Sequence, residues 1–459
     1  MFVNTRIAIS FETNNMVQNG FIAAIDLGTS KIKGIVGRMN ENNVVSVLAC
    51  ETVPSKQCIR RGVVYNVEET GANVKKLISM LDNAVGRHIA KVYVSVAGQS
   101  LHTVQYRNYR QLSSAGIVTE SIISQLNEEA QKFKPDISRK YAIVDVEYYV
   151  DGKPEKNPVG IACSMIEAEY QIVVGRPNLV ANIEKGIVER ANVQIAGYVV
   201  GAQAAAAISL NDDEKELGCA FIDFGAGTTT LSIYKDGVLR KMVVIPFGGK
   251  TITRDICELN FTETDAEQYK IKFGKAVDSN ESSLFSPFSS KTDIDLVELN
   301  KVIRMRLDEI TANIKEQIRL SGYEGKLGAG IVITGGASQL KNLDLYLKEK
   351  LNMPVRKATA KKTFVNNAPE IANDPSFTQV LGMLMFGTED CEAIEIAPEE
   401  QDEEEETSAK TPTGIFGKKS HHPEGLKTPK KTKSDKNNKG FKSALGGLFS
   451  SMFSEDDDE

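Results

Sequence analysis

No stretch of this sequence reaches the roughly 18 apolar residues that a membrane-spanning helix requires. The nearest candidate, "GYVVGAQAAAAISL" (Gly197 to Leu210), is broken by Tyr198, Gly201, Gln203 and Ser209, and reads as a strand end, a turn and a buried helix. An excess of basic residues is also missing. The formal charge is −6, which argues against nucleic acid as the main partner, because phosphate binding needs a basic footprint. The six cysteines are scattered without a Cys-x-x-Cys pair. That argues against a disulfide framework and a zinc site, and fits a reducing cytoplasm. The first twenty residues lack a basic head followed by an apolar run, so they read as a disordered extension (1–20) rather than a secretory signal, with Met16 an alternative start.

What is present is a chain of 459 residues, 41% hydrophobic and 25% charged, long enough for two to four domains. From Phe21 to about Gly387, strand-like runs ("FIAAID", "KVYVSVAG", "YAIVDVEYYV", "CAFIDF", "GIVITG") alternate with helical stretches such as "TGANVKKLISMLDNAVG" and "DLVELNKVIRMRLDEITANIKEQIRL". This alternation predicts an α/β architecture with mixed sheets. Beyond it, "EEQDEEEETSAK" and "KKSHHPEGLKTPKKTKSDKNNKG" bury too little apolar surface to offset the entropy of ordering, and read as a solvated linker over 389–440.

Two segments share one plan. "AAIDLGTSKIKGIV" and "AFIDFGAGTTTLSIY" each run from a buried strand ending in Asp, through a glycine turn with small hydroxyl residues, into a second strand. Asp26 and Asp223 lie 197 positions apart, a domain-scale separation that suits two related domains facing each other. Gly28 in one turn, and Gly225, Ala226 and Gly227 in the other, let backbone N–H groups approach a phosphate chain. Thr29, Ser30, Thr228 and Thr229 add hydroxyl donors, and Lys31 a counter-charge. Asp26 and Asp223 can hold water on Mg²⁺. A third element, "GIVITGGASQLKNLDLYLKEKL", predicts a strand, a turn at Gly335, Gly336 and Ala337, and a helix whose start would take an adenosine. Between them Glu267 and Lys270 share a helix face, a spacing equally that of an ordinary surface ion pair.

In this order the three motifs resemble the actin/Hsp70/sugar-kinase ATPase superfamily. "ELGCAFIDFGAGTTTLSIYKDGVL", "VIPFGGKTITRDICELN", "DAEQYKIKFGKA" and "KNPVGI" narrow the resemblance to the FtsA family of bacterial cell-division proteins. The resemblance implies an actin-like two-lobed ATPase fold. Residues 21–91 and 176–217 would form subdomain 1A, 92–175 an inserted subdomain 1C, 218–247 and 328–388 subdomain 2A, and 248–327 subdomain 2B. It further implies ATP and Mg²⁺ as ligands, with Glu267 and Lys270 on ribose and adenine. Gln203 would stand near the attacking water, with at most slow hydrolysis. Arg306 and Glu309 on "NKVIRMRLDEI" would dock the C-terminal peptide of FtsZ, although the same two residues also suit an i, i+3 surface pair. The family reading is of a polymerising adaptor that tethers FtsZ filaments, and later division proteins, to the cytoplasmic face of the cell membrane at the septum. A PilM-like assembly adaptor and a sugar-kinase-like enzyme are the alternatives; no catalytic base can be placed for the latter.

The linker leads to "FKSALGGLFSSMF", residues 441–453, and an acidic end, 454–459. On a helical wheel Phe441, Leu445, Leu448, Phe449, Met452 and Phe453 fall on one side. At about 1.5 Å per residue such a helix is near 20 Å long, too short to span a bilayer and suited to its interface. Flanking lysines favour anionic lipid, each by up to about 1 kcal/mol. Partial burial of six apolar side chains contributes roughly 9 kcal/mol, much of it offset by ordering about thirteen residues. A single tail therefore binds reversibly, and an array of tails firmly.

Overall fold

A computed structural model describes residues 20–277, 295–365 and 367–393. The tail helix, the acidic end, the extension before residue 20 and the linker beyond residue 393 lie outside the described residues.

Two sheets carry the fold. The first has five strands in the order Gln194–Val200, Lys91–Val96, Ile22–Leu27, Lys31–Met39, Val45–Pro54. Its last three form an antiparallel meander, and Ile22–Leu27 pairs in parallel with Lys91–Val96. All six residues of Ile22–Leu27 are buried, as expected of a strand covered on both faces. The second sheet begins with the same plan: Val355–Lys357, Gly330–Thr334, Cys219–Phe224, Thr229–Lys235, Val238–Ile245. Here too the last three form a meander and Cys219–Phe224 pairs in parallel with Gly330–Thr334. The echo of the two Asp motifs is thus the visible part of a duplicated five-strand unit. That duplication is the actin-like architecture the sequence implies.

Helices cover the sheets where the pattern predicts. Val67–Val85 starts at Asn66, whose side chain accepts the Glu69 N–H, and ends at Gly86, with φ 70°. Its Leu77 and Leu81 press on the first sheet at Gly34, where a Cβ would stand 2.7 Å from a Leu81 methyl. In the second lobe Leu296–Leu320 is capped by Asp295 and buries Leu299, Ile303, Leu307, Ile310, Ile314 and Ile318, a spacing of three and four.

An insert follows Lys91–Val96. Strands His102–Ile117, Ala162–Gly175, Arg139–Val150 and Lys153–Glu155 continue the second sheet beyond Val238–Ile245, joined to it at Val243 and His102. Helix Glu120–Lys132 packs on them over a separate core around Leu126, Ile166 and Tyr170. The seam with the second lobe is polar: Arg240 spans both oxygens of Glu147, at 2.7 and 3.0 Å, and Asp145 accepts the Leu239 N–H.

Two boundaries differ from those expected. The insert was placed from residue 92, but 92–96 complete a strand of the first sheet, because every residue of "KVYVSV" after Lys91 is buried, as in a central strand. The linker was placed from 389, but 389–393 remain in the fold. Cys391 is fully buried, donates its N–H to Phe21 and accepts from Ala90, while Lys91 pairs with Glu389 and Arg87 with Glu392. A buried apolar side chain, backbone hydrogen bonds and two ion pairs together extend the first lobe into the acidic stretch.

Candidate functional site

A cavity of about 890 Å³ receives both Asp hairpins. From the first come Asp26, Gly28, Thr29, Ser30 and Lys31; from the second, Asp223, Gly225, Ala226, Gly227 and Thr228. Glu267, Lys270, Gly335, Gly336 and Ala337 complete the wall. The turns need their glycines, since a Cβ at Gly28 would stand 2.5 Å from the Lys31 carbonyl and one at Gly227 2.5 Å from Thr29 Oγ1. The last of these brings one lobe's turn against the other's.

Two expected residues are elsewhere. Thr229 is fully buried and donates its hydroxyl to the Phe247 carbonyl, while Thr230 reaches the cavity, because successive strand residues face opposite ways. Gln203 does not line the cavity; Ala202, about 100° away around the same helix, does. The glutamine beside the carboxylates is Gln379, whose Nε2 lies 2.5 Å from Asp26 Oδ1. It is held there because helix Thr378–Met383 crosses helix Gly201–Ser209 at very short range, a Cβ at Gly382 having only 1.9 Å to the Ala204 carbonyl. The Gly-Gly turn also departs in detail: it opens a short 3₁₀ turn, Gly336–Gln339, and the helix begins later, at Leu343.

The carboxylates are buried and share one cation. Asp26 accepts from Ser95 Oγ at 3.0 Å as well as from Gln379. Burial raises its pKa against the pull of Lys33, Ser95 and Gln379. Asp223 is pushed up to about 6, by burial and then by the like charge of Asp26, with Lys33 opposing. Lys33 pairs in register with Asp26 on the next strand and donates to the Ser376 carbonyl. Burial lowers its pKa, against Asp26, Asp374 and Asp223.

Sequence reasoning missed Lys33, Asp374, Ser376 and Gln379, all of which line the cavity. The signal for Lys33 was a second lysine two residues beyond Lys31 in an otherwise apolar strand, hence on the same face. For the others it was the turn-rich "NDPSFTQ", close in space only through the tertiary fold.

At the other end, the Lys270 ammonium spends all three hydrogens inside the protein: on the Gly249 carbonyl at 2.8 Å, Thr253 Oγ1 at 2.8 Å and Glu267 Oε2 at 2.7 Å. Burial lowers its pKa, opposed by Glu267. Lys270 therefore presents its methylenes to the cavity and fixes Glu267. Arg306 and Glu309 lie away from this cavity on Leu296–Leu320. Arg306 grips Asp255 through Nε at 2.6 Å and Nη2 at 3.0 Å, pairs with Glu309, and stacks 5.6 Å from the Phe247 ring centroid. The i, i+3 pair is present, and Arg306 is tied to a neighbouring helix.

The family model described as cell division protein FtsA matches residues 220–382. The cell division protein FtsA of Porphyromonas gingivalis is 32% identical over 382 residues, spanning 81% of this chain and 79% of that protein. The FtsA of Pseudomonas aeruginosa is 29% identical over 81% of this chain and 90% of its own length. Among solved structures, a PilM-PilN type IV pilus biogenesis complex aligns with a TM-score of 0.55 at 15% identity, over 80% of this chain and 98% of that chain, a likeness of fold. With two Asp hairpins, a Gly-Gly turn and a relative of this identity over four-fifths of its length, the chain belongs to the FtsA family of cell-division proteins.

Proposed function

We propose that this chain is an ATP-binding, self-associating adaptor that attaches FtsZ filaments to the cytoplasmic face of the membrane at the division septum. The observation that carries the nucleotide part is the convergence of both duplicated hairpins on one cavity. Backbone N–H groups around Gly28 and Gly225–Gly227, with Thr29, Ser30 and Thr228, supply donors for a phosphate chain, and Lys33 and Lys31 supply positive charge. Glu267, fixed through Oε2, keeps Oε1 for a ribose hydroxyl, and Gly335–Ala337 provide a wall without side-chain bulk for a base.

Magnesium fits the donor set. Two buried carboxylates of raised pKa that repel each other are stabilised by a divalent cation. No group of three or more candidate metal-ligating side chains occurs among the described residues, so Asp26 and Asp223 would hold it through water, with the remaining ligands from phosphate oxygens. Magnesium would supply charge neutralisation at the phosphates. Gln379 and Ser95 orient Asp26 for that task.

The adaptor part rests on family membership and on the sequence of the tail. No described helix is long and apolar enough to cross a membrane. Residues 441–453 would bind anionic lipid at the interface, and self-association would multiply weak tails into firm attachment. An acidic FtsZ peptide would meet Arg306 and Glu309 by competing with Asp255 for the guanidinium.

Titration of the full chain with a fluorescent ATP analogue and Mg²⁺, comparing the parent with Asp223→Asn, tests the nucleotide reading. Saturable binding that weakens at least tenfold in the variant supports it; no binding by the parent sinks it. A pull-down on an FtsZ C-terminal peptide, parent against Arg306→Glu, tests the docking.

A further inference from the structure

Beside the nucleotide cavity, and sharing Thr29, Gly227, Lys250 and Glu263 with it, lies a second cavity of about 720 Å³. Its charge is one-sided. Arg60 and Arg61 enter from the first lobe, Lys250, Arg254 and Arg306 from the second, against Glu263 alone. Arg306 is neutralised by Asp255 and Glu309. The other four have no ion pair among the described residues: Arg60 lies over the Tyr65 ring at 3.6 Å, and Arg61 reaches only the neutral Gln99 Oε1, at 3.4 Å.

Two features show that this surplus is built in. Lys250 and Arg254 sit four residues apart on helix Gly249–Cys257, a like-charge spacing that destabilises a helix and that an anion between them would relieve. Arg61 adopts φ 48°, in the left-handed region costly for a residue with a Cβ. The loop holding it is pinned to the first phosphate turn: Ser55 Oγ donates to the Thr29 carbonyl at 2.6 Å, and the Gly62 N–H to Thr29 Oγ1 at 3.0 Å. The backbone is thus bent, at a cost, to bring an arginine to this mouth. The cavity also has an apolar side, formed by Ile59, Pro246 and Phe247, and its volume is that of a small-molecule site.

We propose that this outer cavity is a second anion site, distinct from the nucleotide's, that takes a small phosphate-bearing ligand between Arg60 and Arg61 of one lobe and Lys250 and Arg254 of the other. The shared chemistry is a phosphate oxyanion, free or carried on an apolar body that rests on Phe247. Four cations from two lobes, without an ion pair among the described residues, give it the charge and the reach to span the mouth. The inference rests on the two-lobed fold and stands whether or not the inner cavity holds ATP.

Calorimetric titration of the full chain at low salt, with inorganic phosphate in one arm and phenyl phosphate in the other, tests it. Both arms are repeated with an ATP analogue and Mg²⁺ saturating the inner cavity. One equivalent should bind with the analogue present; Arg254→Gln and Arg61→Gln, neither of which lines the inner cavity, should each weaken it about tenfold, and Arg254→Lys should retain it. Tighter binding of phenyl phosphate assigns the body-bearing ligand, and equal binding the free oxyanion. Absence of binding, full competition by the analogue, or Gln variants that bind like the parent overturns the proposal. Phenyl phosphate bound by a chain that ignores the ATP analogue would sink the nucleotide reading and leave this one standing.

Discussion

Gly335, the first residue past strand Gly330–Thr334, stands against Asp223 of the neighbouring parallel strand, so close that a Cβ on the glycine would lie 2.1 Å from Asp223 Oδ1 and 2.5 Å from the Phe224 carbonyl. The hairpin carboxylate and the Gly-Gly turn, proposed above for the phosphate and base ends of a nucleotide, are thus one packed unit. Gly335 also has φ 88°, so two independent physical reasons hold it as glycine.

This separates two neighbouring substitutions. Gly335→Ala should lower stability by about 2 kcal/mol or more, from backbone strain plus the clash. Gly336→Ala meets nothing nearer than Ser376 Cβ at 3.7 Å, and should fold within about 0.5 kcal/mol of the parent while weakening nucleotide binding. Denaturant melts and nucleotide titrations on both variants check the split.

The pKa of about 6 at Asp223 makes stability depend on pH. Because the folded value lies above the ordinary 3.8, the folded state holds the extra proton between those values. The contribution of this group is therefore fully present below about pH 4 and is lost as pH rises through about 6, a change of roughly 3 kcal/mol. Asp145, also raised to about 6 by burial, contributes separately at the insert seam. Asp223→Asn should flatten the decline without abolishing it, as measured by denaturant midpoints of the nucleotide-free chain from pH 4 to 7. Magnesium affinity should move the opposite way, falling as protons compete below about pH 6.

Lys270 and Glu267 should behave unlike each other. Lys270→Met leaves the Gly249 carbonyl and Glu267 with only the Thr253 hydroxyl to share between them, and should cost about 1–3 kcal/mol of stability. Glu267→Gln keeps an acceptor for Thr253 and Lys270, so it should fold normally and lose affinity for the ribose-bearing ligand. Thermal melts and a titration comparing the nucleotide with its 2′,3′-dideoxy analogue resolve the two roles.

Removing 441–459, or substituting Phe449→Glu in the apolar sector, should release the protein from anionic vesicles in a flotation assay while leaving nucleotide binding intact. Retention of both variants on the vesicles would overturn the tail's assigned role.

The sequence alone determined the α/β class, the duplicated Asp hairpins, the long amphipathic helix and most of the inner wall. These are local facts: strand periodicity, glycine turns and capping residues act within a few positions, and two copies of one motif betray a duplication. Tertiary structure alone decided which glutamine meets Asp26, since Gln379 arrives 353 positions later through a helix crossing at Gly382 that no local pattern encodes. It decided that Lys33 is buried between three aspartates, and that Thr230, rather than Thr229, faces the cavity. Arg306 was legible as a candidate, but its capture by Asp255 depends on how two helices pack. Spacing along the chain reports what one element can present; which charges cancel and which remain is settled only when distant elements share a surface.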